Sequence, residues 1–123
     1  MNTIYKNILS ITSSVLLCVF LSTSFVMAKE EGSKRIDEGK KLAFTRKKGN
    51  CLACHLMIGG VSPGNIAPPL IAMQSRYPDK KALKAQIFDA SKKNSETTMP
   101  LFGRYEILTK DELDKVVDFI YSL

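Results

Sequence analysis

Tryptophan is absent from this 123-residue chain, histidine occurs once, as His55, and cysteine three times. No stretch of useful length alternates apolar with polar residues, and no segment repeats, so the sequence offers no sheet-forming pattern. The formal net charge is +6, yet the Lys and Arg residues form no stripe interleaved with aromatics, which speaks against a nucleic-acid surface. Only one long apolar run exists, "ILSITSSVLLCVFLSTSFV", and it lies at the N-terminus. Lys6 precedes it and Val26-Met27-Ala28 closes it, so residues 1–28 read as a secretory signal cut before Lys29. Ser and Thr break the run, which speaks against an uncleaved membrane anchor. Leu17 precedes Cys18, where a lipoprotein signal would carry a small residue. Residues 29–123 are then a single small domain in which Cys51 and Cys54 are the only cysteines. A domain of that size usually needs a staple or a cofactor.

What is present is helical periodicity separated by Gly/Pro-rich connections. "SKRIDEGKKLAFTRKKG", residues 33–49, places Ile36, Gly39, Ala43 and Phe44 near one face, with Ser33 as a cap and Gly49 as a left-handed stop. Gly39 inside a helix costs about 1 kcal/mol relative to Ala, and close packing against a second helix would offset that. Residues 56–69, "LMIGGVSPGNIAPP", read as loop. "LIAMQSRY" is expected as a short helix before Pro78, and Asp79 as the cap of "KKALKAQIFDASKK", with Leu83, Ile87 and Ala90 as its stripe. "NSETTMPLFGRYEI" is loop again. The final segment has Thr109 and Glu112 at capping-box spacing, Leu108 and Leu113 at the staple positions, and an apolar face of Leu113, Val116, Val117, Ile120 and Tyr121. The expected class is all-α, with three to four helices. The loops are too long for a simple bundle, so they need a large apolar group to pack against.

The chemistry concentrates in "CLACH", residues 51–55. Export would first suggest a disulfide between Cys51 and Cys54. A thioredoxin-like pair belongs near a βαβ pattern, which is lacking, as is Trp. A structural zinc site takes four ligands, and residues 29–123 hold two Cys and one His. C-x-x-C-H is also the attachment motif of a c-type haem. The two thiols add to the haem vinyl groups as thioethers, and the next residue is held beneath the iron, so His55 Nε2 is the expected axial ligand. All three residues then have a task. A sixth ligand would be methionine, which together with His raises the potential. Met57 is only two residues past His55 and spans about 7 Å at most, too little to round the ring. Met73, beside "PPLIAM", suits packing. Met99, in a loop before Pro100 and the last helix, is the expected iron ligand. A metal-bound His usually donates its other ring proton to a carbonyl or carboxylate, and the Pro68 carbonyl is the candidate acceptor.

These residues resemble class I cytochromes c. A Gly39-bearing helix leads into "CLACH", "APPL" is similar to that fold's Gly-Pro-x-Leu segment with Ala67 for Gly, and "TMP" precedes a terminal helix that in the family crosses the first. The resemblance implies one covalent haem c wrapped by three to four helices and long loops. Within the class, "GNCLACH", "APPLIAM", "YPDKKALKAQIFDAS" and "TTMPLFGRYEILTKDELDKVVDFIYSL" resemble the SoxX family, the monohaem subunits of SoxAX cytochromes, across nearly all of residues 33–123. Leu101 departs from the family, which usually has a second Pro there. This narrower resemblance implies a periplasmic, electron-accepting, non-catalytic subunit of an L-cysteine S-thiosulfotransferase in thiosulfate oxidation. The implied partners are a SoxA-like haem subunit, a SoxYZ-like carrier as substrate of the complex, and a downstream cytochrome c. The alternatives are a free-standing soluble electron carrier of the same class and a non-haem thiol protein.

Overall fold

The computed structural model describes residues 29–123, and the expected export signal and Cys18 lie outside the described residues. Contacts divide the chain after Ser33, and the unit Lys34–Leu123 holds the first helix from Lys34 onward, the other elements and the site. Among the described residues there are four α-helices and no strand: α1 over residues 29–44, α2 Met73–Arg76, α3 Lys80–Phe88 and α4 Lys110–Tyr121. Two single 3₁₀ turns, Cys51–Ala53 and Ala90–Lys92, complete the regular structure. No helix among the described residues is long and apolar enough to cross a membrane.

Helix α4 is the central element of the core. Thr109 Oγ1 accepts from Glu112 N at 3.3 Å, and Glu112 Oε2 accepts from Thr109 N at 2.9 Å, so the capping box closes as its spacing implies. Leu108 and Leu113, on either side of the cap, are buried. The buried face is Leu113, Val116, Val117, Phe119 and Ile120. Tyr121, expected on that face, is instead half-buried and donates its hydroxyl to the Pro78 carbonyl at 3.3 Å. Phe119 takes the inward place because it meets Phe44 of α1 edge to face, with ring centroids 5.8 Å apart.

Gly39 is where α1 meets α4. A β-carbon there would fall 1.9 Å from the Lys115 carbonyl oxygen and 3.0 Å from Phe119 Cβ, so the two backbones touch. The ion pairs Lys115–Glu38 (3.0 Å) and Arg35–Asp118 (3.1 Å) flank the crossing. Ser33 lies within α1 rather than capping it, since helix already covers residues 29–44. The helix ends at Phe44, and the left-handed residue beyond it is Asn50 (φ 48°) rather than Gly49. Gly49 is needed for space. Its N–H reaches back to the Leu42 carbonyl (3.0 Å), and a β-carbon would sit 2.9 Å from Ala43 Cα.

Asp79 caps α3, with its carboxylate accepting from Lys81 N at 2.9 Å. The helix stops at Phe88, earlier than its periodicity suggests, because the Asp89 carboxylate accepts from Ser91 N and turns the chain. Ala90 is buried, as expected, but from the 3₁₀ turn. α3 and α2 both pack on α4, which sets the apolar sides of Leu83, Ile87, Val116 and Ile120 around one interior slot.

Candidate cofactor site

The residues leading into the site are shaped by backbone hydrogen bonds. Asn50 accepts from Ala53 N at 3.0 Å, and the Cys51 carbonyl accepts from both Cys54 N (3.2 Å) and His55 N (2.9 Å). This single tight turn brings Cys51, Cys54 and His55 to one short stretch of chain. The following loop then folds back over the turn. Gly64 N donates to Leu52 O (2.7 Å), Ala67 N to Cys54 O (3.1 Å), and Leu70 N to Leu56 O (2.9 Å). A β-carbon on Gly64 would lie 2.1 Å from the Ala53 carbonyl oxygen, so only glycine permits that approach. The result places Pro68 against the histidine: the Pro68 carbonyl accepts from His55 Nδ1 at 2.7 Å. With its proton on Nδ1, the imidazole keeps the lone pair of Nε2 for a metal.

Cys51, Cys54, His55 and Met99 all line one slot of about 500 Å³. Leu70, Leu83, Ile87, Phe102, Leu108 and Val116 give it apolar walls, as a flat apolar cofactor requires. Pro68 lines it as well. The two other methionines behave differently. Met57 is 3 % exposed in the core and does not line the slot. Met73 is buried and lines the slot, but its sulfur accepts from Arg76 Nη1 at 3.5 Å. Met99 is half-buried, and its N–H donates to Thr97 Oγ1 at 3.2 Å. Arg76 also donates to the Pro69 carbonyl (2.7 Å), bracing the loop that bears Pro68. Neither Arg76 nor Gly64 stands out in the sequence, because each acts on a backbone carbonyl distant along the chain.

The donor set separates the chemistries. Cys51 and Cys54 form no disulfide with each other, and in the absence of a thioether burial would push the Cys51 thiol up to about 11. At neutral pH it would be protonated, which is poor chemistry for disulfide exchange. Among the described residues no three His, Cys, Asp or Glu side chains gather to hold a metal ion, so a zinc site of the usual four ligands has no basis there. Two thiols, one imidazole nitrogen and one thioether sulfur on an apolar slot fit a covalently attached haem.

No curated protein matches the chain. The cytochrome c family model matches residues 36–123, from the middle of α1 through the terminal helix, the whole of the structure that builds the slot. The chain therefore belongs to the cytochrome c family, whose members carry a single covalently bound haem c.

Proposed function

We propose that this chain is a one-electron carrier in which Cys51 and Cys54 hold the haem as thioethers and His55 Nε2 and Met99 Sδ are its axial ligands. The observation that carries the reading is the gathering of Cys51, Cys54, His55 and Met99 on one apolar slot. The haem, when bound, supplies reversible exchange of a single electron at iron. The chain's own residues do the rest. Pro68 O fixes the tautomer and orientation of His55, Thr97 holds the Met99 backbone, and Leu83, Ile87, Val116 and Ile120 keep water from the slot. A thioether beside an imidazole raises the potential. With both thiols spent as thioethers, Cys51 and Cys54 offer no thiol nucleophile, so chemistry that needs one would sit on another chain. In covalently loaded Met99→Ala, haem should remain attached, the potential should fall, and the ferric protein should take up added cyanide or imidazole. An unchanged visible spectrum and potential would remove Met99 from this role.

A second reading rests on an exposed apolar surface. Leu56, Ile58, Val61, Ile66 and Ile71, all between residues 56 and 71, are exposed, Ile58 by 71 %, Val61 by 86 % and Ile66 by 78 %. Ile66 also lines the slot. Exposed apolar patches of this kind mark partner surfaces. The patch and the SoxX resemblance together support an exported, periplasmic electron-accepting subunit. It would be paired with a SoxA-like haem subunit whose sulfur chemistry acts on a SoxYZ-like carrier, and it would pass electrons to a downstream cytochrome c. Purification from the native source distinguishes the two readings. A second haem-bearing chain that co-elutes supports the subunit, and a monodisperse monomer supports the free carrier.

A further inference from the structure

Met99 sits on a part of the chain with space on both sides. It lines the haem slot, and together with Thr97 and Pro100 it also lines a solvent-open depression of about 530 Å³ bounded by Ser91 and Arg104. It packs against the core on the slot side and borders the open depression on the other, so the position of its sulfur also depends on how the ends of the segment are held. Both ends are held at one place, the C-terminus of α3.

Asp89 is the one buried charged side chain among the described residues, 4 % exposed. On the upstream side of the Met99 segment, its Oδ1 accepts from Ser91 N at 3.1 Å and from Ser91 Oγ at 2.5 Å. On the downstream side, its Oδ2 lies 3.6 Å from the Arg104 guanidinium. The neighbouring Phe88 carbonyl accepts from Gly103 N (3.1 Å) and Arg104 N (3.2 Å). The return passes so close that a β-carbon on Gly103 would fall 1.9 Å from the Phe88 ring. A helix cap alone would need only the Ser91 N–H, and it explains neither the burial of the carboxylate nor the reach to Arg104. The Ser91 hydrogen bond first, with Arg104 adding to it, holds the Asp89 carboxyl below the usual carboxylate range, so the tether is ionised at neutral pH.

We infer that Asp89 is a positioning residue for Met99: by fastening Ser91 and Arg104 to the end of α3 it closes the segment between them and keeps the methionine sulfur over the haem slot. The inference rests on Met99 being the sixth ligand. It concerns how often that ligand leaves, since a segment tied at both ends explores fewer conformations than one tied at a single end.

The test uses the ferric, covalently loaded protein and the rate at which added cyanide replaces the methionine. Asp89→Asn, which leaves an acceptor for Ser91 but removes the charge facing Arg104, should accelerate cyanide uptake by about tenfold. Arg104→Gln and Ser91→Ala each cut one tie, and each should accelerate uptake by a smaller factor. Arg104→Lys, which keeps the charge, should recover part of the loss. If Asp89→Asn does not yield folded holoprotein, Arg104→Gln and Ser91→Ala carry the test. Met99→Ala separates the two levels. If its uptake equals that of the unaltered protein, the assignment of Met99 fails. If it is fast while the Asp89, Ser91 and Arg104 variants exchange at the unaltered rate, the tether is overturned, even where those variants melt at lower temperature.

Discussion

Residues 39, 49 and 64 are glycine for three contacts that a methyl group would destroy, and Gly39 is the one whose energetics run in two directions. Inside α1, alanine would gain about 1 kcal/mol of helix propensity. At this position its β-carbon would meet the Lys115 backbone oxygen at 1.9 Å, which forces two helices apart instead of displacing a flexible side chain. Overpacking of this kind costs about 1–3 kcal/mol, and the involvement of backbone puts the case at the upper end. Gly39→Ala should therefore lower stability by about 2 kcal/mol, read from chemical denaturation of the haem-loaded protein. A stabilised variant would mean that α1 and α4 do not cross here. Residue identity made much of this legible: a glycine within a helical stripe asks for a close neighbour, and the spacing of CLACH pointed to haem c, the cofactor of the family. Asp89, Arg76 and Gly64 were not legible, because their partners, Arg104, Pro69 O and Ala53 O, become neighbours only once the loops have folded.

Among the elements, α4 was the most readable because its cap, staple and apolar face all lie within one continuous segment. The ends of α1 and α3 were not, since each is set by a competing hydrogen bond: Gly49 N to Leu42 O for the first and Ser91 N to Asp89 for the second. Lys48 also changes character once folded. Beside the haem motif it could be a docking charge, but it pairs with Glu112 at 2.8 Å and so ties the exit of α1 to the cap of α4. That pairing first, and the Thr109 backbone bond second, hold the Glu112 carboxyl below its ordinary range. A carboxyl depressed on folding contributes stability above its unfolded pKa, and the contribution disappears as pH falls through the lower folded value. Glu38, Asp111 and Asp89 are depressed as well, so the protein should lose stability progressively as pH drops below the ordinary carboxylate range of about 4. Glu112→Gln should flatten that acid limb, and an unaltered pH profile would show that the Lys48 pair is inconsequential. Thr109→Ala should lower stability by about 1 kcal/mol at neutral pH.

At the scale of the molecule, the core and the cofactor slot share their walls. Leu83, Ile87, Phe102, Leu108, Val116 and Ile120 belong to the hydrophobic core, and the same six side chains line the slot of about 500 Å³. Each turns apolar surface into the slot, where a bound haem would complete the core. Burial of apolar surface contributes about 25 cal/mol per Å², and a domain of this size has a margin of only about 5–15 kcal/mol. An empty slot forfeits that contribution on every wall at once. The loops over residues 56–71 and 94–108 carry few helical hydrogen bonds of their own and depend on what they enclose. Cys51→Ser combined with Cys54→Ser should accordingly abolish covalent haem and leave a chain with little of the helical circular dichroism of the loaded protein. It should also lack a cooperative thermal transition. His55→Ala with both thiols intact provides the contrast: haem still attached through Cys51 and Cys54 should preserve most of the helix content while removing the proximal ligand. If the haem-free double variant instead melts cooperatively with full helix content, the helices pack without the cofactor, and the long loops must owe their order to bonds such as Asp89–Ser91 and His55–Pro68 alone.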